Sequence, residues 1–236
     1  MNDRLAYTLL DQRLMSRAVR YFEWQARVIA PELGQRVVEV GCGTGNFTRS
    51  LLDREAIVAV DIEPACIDSL KRRYPARSNL FTAVCSPEDP EFATLQRFRP
   101  DSCVCLNVLE HIEDDGQALR SMAAILPPGG VIALLVPAFP ALYGPTDRNL
   151  AHHRRYTARA MRDLAEQAGL TVRKLRYFNL AGFFGWWLNA RVLKLEAQST
   201  RQIELFDRWF VPVMSRVEAI VPLPFGQSLI AVLQKS

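Results

Sequence analysis

No run of about 18 uninterrupted apolar residues occurs in the 236-residue chain, so no membrane-spanning helix is expected. The opening stretch MNDRLAYTLLDQRLMSR has charge spread through it and no apolar core, so no secretory signal is expected either. Lysine is scarce, supplying four of the 29 basic residues, and the net charge is only +4. The basic clusters at 71–73 and 152–155 are short, and nothing resembles a polybasic tail, which argues against a nucleic-acid partner. The five cysteines (Cys42, Cys66, Cys85, Cys103 and Cys105) form no CxxC pair and have no histidine at metal-binding spacing. They read as buried free thiols in a reducing cytoplasm. What remains is 49% apolar and 23% charged, enough for one substantial core, so a single domain over 1–236 is expected.

The chain is organised around RVVEVGCGTGNF, residues 36–47. Val37, Val38 and Val40 make a β-branched, mostly apolar run that reads as a buried parallel strand, broken only by Glu39. Gly41, Gly43 and Gly45 follow at alternate positions, where backbone must turn tightly or lie against a ligand. A helix is expected next, from the apolar face formed by Phe47, Leu51 and Leu52. The spacing G-x-G-x-G departs from the dinucleotide fingerprint G-x-G-x-x-G, and no Lys-Ser or Lys-Thr follows to grip phosphate. Asp61 closes the next strand, where an acid can accept hydrogen bonds from ribose hydroxyls. A glycine corner plus a ribose acid, without a phosphate cradle, suits an adenosine ligand lacking phosphates.

Strands are expected at 36–40, 57–61, 80–84, 101–106, 131–137, 171–178 and 228–235. Helices over 64–74 and 114–126 alternate with the earlier ones, which is the pattern of a parallel α/β sheet. Before the first strand, Leu10, Leu14, Val19, Phe22 and Ala26 recur at roughly helical spacing. This N-terminal helical segment (1–34) either covers the ligand with Tyr21, Phe22 and Trp24 or packs those rings on the sheet.

Three motifs, EVGCGTGNF, AVDIEP and LNVLEHIEDD (106–115), stand in order, each just after an expected strand. Over 37–136 they resemble the class I S-adenosylmethionine-dependent methyltransferases, of the type 11/12 kind. The resemblance implies an enzyme with a Rossmann-like sheet of seven strands: the first five parallel, the last antiparallel, helices on both faces. It implies S-adenosyl-L-methionine as cofactor, held by a core over 35–136. The implied donor-binding residues are Glu39, Gly41, Cys42, Gly43, Gly45, Phe47, Asp61, Ile62, Ser86, Pro87, Asn107 and Val108. Ser86 stands where related sequences usually place an acid; Glu88 and Asp89 lie near enough to substitute. By the same resemblance His111 is a structural residue beside the methionine end of the donor.

Beyond Val136 the chain leaves this pattern. The loop 141–157 rises from the carboxyl end of the fifth strand, on the ligand side, and ends at Thr157, which caps a helix over 158–168. Its string DRNLAHHRRYT resembles a subgroup of these enzymes. His152 is the expected general base, because a side chain of near-neutral pKa suits removal of an acceptor's proton. Arg154 and Arg155 offer forked donors for an acidic acceptor or, alternatively, pair with Asp147. Tyr143, Tyr156 and Trp186 are also expected to face the acceptor. No metal is expected, since no carboxylate stands at suitable spacing to join the two histidines. Between the last two strands, 179–226 forms an insertion with three of the four tryptophans, including Trp186, Trp187 and Trp209. It reads as a helical substrate cap, apolar enough to hold an aromatic or lipid-like acceptor, to touch a membrane peripherally, or to form a subunit interface. The acceptor is therefore expected to be small and hydrophobic, methylated on oxygen or nitrogen. A protein or RNA methyltransferase, a non-catalytic donor-binding protein and a dehydrogenase are the alternatives.

Overall fold

The computed structural model describes residues 14–188, 199–221 and 223–236. Leu10 of the N-terminal periodicity lies outside the described residues. The five expected early strands form as β1 (Arg36–Val40), β2 (Ala56–Asp61), β3 (Leu80–Val84), β4 (Ser102–Leu106) and β5 (Val131–Pro137). Apart from the edge strand β3, each is buried nearly throughout, which is why they show in the sequence as continuous apolar runs. β6 (Leu170–Phe178) and β7 (Ser228–Lys235) complete one seven-stranded sheet in the order β3-β2-β1-β4-β5-β7-β6. β7 runs antiparallel to both its neighbours, and the other pairings are parallel.

The order reverses between β1 and β4, so the crevice beyond their carboxyl ends is the topological switch point where α/β sheets bind ligands. β6 ends at the same edge, because Phe178 pairs with Ser228 and Ser228 with Pro137. Everything that leaves β1, β4, β5 and β6 therefore rises on one side.

Helices cover both faces. On one, α3 (Asp115–Ala124) and α5 (Ala158–Gln167) enclose Leu119, Met122 and Met161 with the 3-10 turns of Pro90–Phe98; on the opposite one, α2 (Pro64–Arg73) sets Ile67 and Leu70 against Ala59, which points to the same side of β2 as Ile57. α4 (Pro145–Asn149) is a short helix inside the expected loop. On the other face, α1 (Val19–Ile29) lays Trp24 and Ile29 against Phe47, Leu51 and Phe178. Trp24 is 2% exposed, its ring centroid 4.2 Å from that of Phe178. Its ring, with those of Tyr21 and Phe22, packs in or against this core. Burying each such side chain contributes about 1.5–3 kcal/mol.

The insertion after β6 carries α6 (Leu180–Trp187), α7 (Thr200–Leu205), a π-helical turn (Phe206–Phe210) and α8 (Val211–Ile220). Val192 and Leu193 of this segment lie outside the described residues. Its two inward acids cap other helices. Asp207 accepts hydrogen bonds from the N–H groups of Tyr21 (2.8 Å) and Arg20 (3.2 Å) at the start of α1. Glu218 accepts those of Leu180 (2.9 Å) and Asn179 (3.1 Å) at the start of α6. Carboxylates at helix N-termini satisfy orphan donors and complement the helix dipole.

One expected element does not form. The helix after the glycine corner is a single 3-10 turn, Thr48–Leu51. Fewer than ten residues separate Phe47 from β2, too few for a stable α-helix and a return to the sheet.

Candidate active site

The corner begins where β1 ends. Gly41, Gly43 and Gly45 have φ of 71°, 53° and 83°, the left-handed region that side chains disfavour. A Cβ on Gly41 would also overlap the side chain of Val108, which lies over it from the loop after β4. The Gly43 N–H donates to Asp61 Oδ2 (2.8 Å), and the Glu63 N–H to Oδ1 (3.0 Å). Each carboxylate oxygen therefore keeps acceptor capacity for another donor. Burial raises the Asp61 carboxyl, partly offset by those backbone N–H groups. Ile62, next in sequence, is 64% exposed, an apolar surface beside the acid. Asn107, the residue after β4, has φ of 53° and donates its N–H to Leu135 O (2.7 Å), turning the chain at the switch point.

These residues fit an adenosine-type ligand. The corner supplies close backbone approach, Asp61 supplies acceptors for vicinal hydroxyls, and Ile62 supplies a face for a base. The 3-10 turn after the corner offers no long helix dipole for a pyrophosphate. Ser86 is half-buried beside buried Pro87. Its Oγ accepts from the Glu88 N–H (3.1 Å), while its N–H donates to Asp89 Oδ2 (2.6 Å). Asp89 thus holds the turn that presents Ser86.

Two expected donor residues stand differently. Phe47 is 4% exposed and packs with Trp24 and Leu51, so its ring supports the corner from the core. Cys42 is buried; its N–H and that of Gly41 both donate to Val60 O, which pins the corner to β2. All five cysteines are buried free thiols, and burial raises the pKa of each.

Glu39 is buried beneath the corner and accepts a hydrogen bond from Thr48 Oγ1 (2.6 Å). Burial pushes its carboxyl up to about 8, from an ordinary 4.5. Folding therefore takes up a proton between those values, so Glu39's contribution to stability is full below about 4.5 and is lost as pH rises through about 8. Glu39→Gln should flatten this part of the profile. In thermal melts from pH 5 to 8.5, the wild-type Tm is expected to fall by about ten degrees more than that of the variant, since a carboxyl moved from 4.5 to about 8 loses about 4 kcal/mol over that range and about 1 kcal/mol moves Tm about 2–4 °C in a chain of this size. Parallel profiles would mean that Glu39 is ionised in the folded protein.

The loop 141–157 is held by its own charged residues. Asp147 is fully buried and takes hydrogen bonds from Arg155 Nε (2.8 Å), Arg155 Nη2 (3.1 Å) and the Gly144 N–H (2.9 Å). Its Oδ1 also lies 2.8 Å from His152 Nδ1. Burial alone would raise Asp147, but His152 and Arg155 hold it below the usual carboxylate range. Arg155 is thereby turned inward, donating also to Ala138 O (3.2 Å), with its guanidinium 4.7 Å above the Trp186 ring. Arg154 pairs with Asp115 (2.7 Å) and donates to Glu113 O. The Tyr156 hydroxyl, 3% exposed as a residue, donates to Asp115 (2.9 Å). Arg154 and Tyr156, two residues expected to face an acceptor, here tie the loop to the segment after β4, and Arg155 makes the alternative expected of it, the pair with Asp147 inside the loop. Trp186 lies half-buried beneath Arg155, and the Tyr143 hydroxyl donates to His152 O (2.7 Å).

Between loop and sheet, the structure gathers a cluster that spacing did not reveal. Glu110, His111 and His152 present atoms within 4.8 Å of one another, so a carboxylate does join the histidine, from the loop after β4. Glu110 is 1% exposed, neither of its oxygens has a hydrogen-bond partner among the described residues, and burial pushes its carboxyl up to about 7. The His111 and His152 rings meet edge to face at 4.7 Å. Among the described residues these three form the one group able to hold a metal ion. The pairing of His152 with Asp147 also suits proton transfer. A hydrogen bond from His152 Nδ1 to Asp147 leaves Nε2 as the basic nitrogen.

An apolar cavity of about 490 Å³ opens beside the loop, lined by Phe139, Ala141, Leu142, Phe183 and Trp187. Phe139 and Ala141 follow β5 and Phe183 belongs to α6, so the cavity lies at the ligand end of the sheet.

The sheet order and the glycine corner are those of the class I S-adenosylmethionine-dependent methyltransferases. Residues 10–175 match the methyltransferase domain family model, and the chain belongs to that family. It is 33% identical over 98 residues to a ubiquinone biosynthesis O-methyltransferase of Coxiella burnetii, covering 41% of each chain. It is 35% identical over 120 residues to a trans-aconitate 2-methyltransferase of Variovorax paradoxus, covering 49% of this chain and 43% of that one. The chain thus spans less than half the length of the curated relatives it matches. An S-adenosylmethionine-dependent methyltransferase of Mesorhizobium loti shares the fold, with a TM-score of 0.58 and 15% identity over 89% of this chain and 96% of that one. No helix among the described residues is long and apolar enough to cross a membrane.

Proposed function

We propose that the protein transfers a methyl group from S-adenosylmethionine to an oxygen or nitrogen of a small hydrophobic, aromatic or lipid-like acceptor. The observation that carries this reading is the apolar cavity of about 490 Å³ at the ligand end of the sheet. It is roofed by the cap and has no charged side chain in its lining. Ligand pockets of this size take small molecules with an apolar body.

The bound donor supplies a methyl carbon on a cationic sulfur; the acceptor's lone pair forms the new bond as the carbon–sulfur bond breaks and its electrons return to sulfur. What the chain supplies is alignment and proton removal. Asp61, the corner glycines, Ile62 and the Ser86–Pro87 turn fix the adenosine end, and the Asn107–Val108 turn orients the methyl-bearing end. Holding the reacting atoms in line accounts for much of the rate in such displacements. His152, aimed by Asp147 and faced by Glu110, takes the proton that the acceptor loses.

The test is calorimetric titration with S-adenosylhomocysteine, with NADH beside it, followed by an acceptor screen that begins with phenols and single-chain lipids. Binding of S-adenosylhomocysteine alone, and turnover with an apolar acceptor, are expected. NADH binding would return the protein to the dehydrogenases. Turnover restricted to protein or RNA would overturn the acceptor class.

A further inference from the structure

The segment 200–220 is a continuous helix through α7, the π-helical turn and α8, and it has two apolar faces. Ile203, Asp207, Val211 and Glu218 point inward and are buried. On the opposite side Leu205, Trp209, Val213, Val217 and Ile220 recur every three or four residues, all at least 40% exposed, with Trp209 at 63% and Ile220 at 83%. An outward stripe this long is unusual for a solvated helix, whose exposed face is ordinarily polar.

Its charges are sorted as well. Both inward acids are spent as helix caps, as described above. Outward, the same helix shows Arg201, Arg208 and Arg216 and one acid, Glu204, which is paired with Arg17 (2.6 Å). The Arg208 guanidinium lies 5.3 Å from the Trp209 ring. The exposed face is thus apolar, aromatic and cationic.

We propose that this face docks flat on an anionic lipid bilayer, the apolar stripe entering the headgroup boundary and the three arginines meeting lipid phosphates. Basic residues flanking an apolar stripe with Trp and Phe is the composition of helices that lie in a membrane interface. A second copy of the chain is a poorer occupant, because a two-fold interface here would set the arginine row against itself. On α6, Phe184 and Trp187 are also exposed, and Trp187 lines the apolar cavity, so the cavity opens toward apolar surface of the same cap. Docking does not depend on the methyl-transfer reading.

Co-sedimentation with vesicles of phosphatidylcholine alone, and of phosphatidylcholine mixed equally with phosphatidylglycerol, tests this. Binding to the mixed vesicles only, weakening at high salt, is expected. Trp209→Ser/Ile220→Ser and Arg201→Gln/Arg208→Gln/Arg216→Gln should each lower the partition coefficient about tenfold or more. Both sets lie on the surface, and an unchanged circular dichroism spectrum and S-adenosylhomocysteine affinity would show that each variant folds. Failure of the folded wild type to bind either vesicle would overturn the proposal, as would binding indifferent to both sets. Sedimentation of the lipid-free protein as a dimer that Trp209→Ser/Ile220→Ser dissociates would assign the face to a subunit interface instead.

Discussion

Asp61→Ala is expected to weaken S-adenosylhomocysteine binding about a hundredfold. A hydrogen bond to a charged group contributes about 1.5–3 kcal/mol, two ribose hydroxyls would each donate one, and about 1.4 kcal/mol corresponds to tenfold in affinity. The carboxylate has the capacity: one backbone N–H reaches each of its oxygens, from Gly43 and Glu63. The substitution also releases Gly43, whose left-handed backbone the carboxylate fixes, so the loss combines ligand contact with corner geometry. Asp61→Asn separates the two. It keeps an acceptor toward Gly43 but offers the ribose one acceptor and an unwanted donor, and an intermediate affinity is expected. Unchanged affinity in Asp61→Ala, by calorimetry, would remove the residue from the ribose role.

His152→Ala is expected to lower kcat by about a hundredfold to a thousandfold with S-adenosylhomocysteine affinity within about twofold, as befits a general base. The residue stands apart from the donor corner, on the loop that Arg154, Arg155 and Tyr156 staple down. Its removal leaves Asp147 paired with Arg155 through two hydrogen bonds, so the loop keeps its anchor. An acceptor that ionises by itself should regain rate in the variant as pH rises, while the wild-type rate levels off at lower pH. Chelator added to the wild type should leave the rate unchanged. A loss restored by a divalent cation would turn the Glu110–His111–His152 cluster into a metal centre. Full activity in His152→Ala would move the base elsewhere.

The strands were legible because parallel strands covered on both faces show as unbroken apolar runs, and the corner because alternate glycines seldom have a purely local use. The 3-10 turn was hidden: Phe47, Leu51 and Leu52 do stand on one side, but chain length rather than periodicity decides whether a helix fits. Arg155 shows a second limit. Its forked guanidinium suits an acidic ligand in solution or a buried Asp147 equally well, and only the fold of an irregular loop brings Asp147 within 2.8 Å. Glu110 was obscured by its own motif, where an acid before His111 carries no sign that the chain will bury it against a histidine 42 positions later. The segment 200–220 shows a third. Its sequence is apolar on two sides, and which side turns inward depends on where Asp207 and Glu218 find helix ends to cap.

The insertion enters and leaves the sheet through one narrow joint. Phe178 and Ser228 pair as the last residues of β6 and the first of β7, and Asn179 grips Gln227 through both backbone (3.0 Å) and side chain (2.8 Å). Beyond that stem the insertion is tied back at Asp207, which caps α1, and at Val211, which joins the core under the sheet, so change that leaves the donor strands undisturbed is confined to its outward positions. The donor half is committed to one ligand by its corner. Those outward positions of the insertion are free to diverge, so two chains with matching corners need not share the surfaces on which they work.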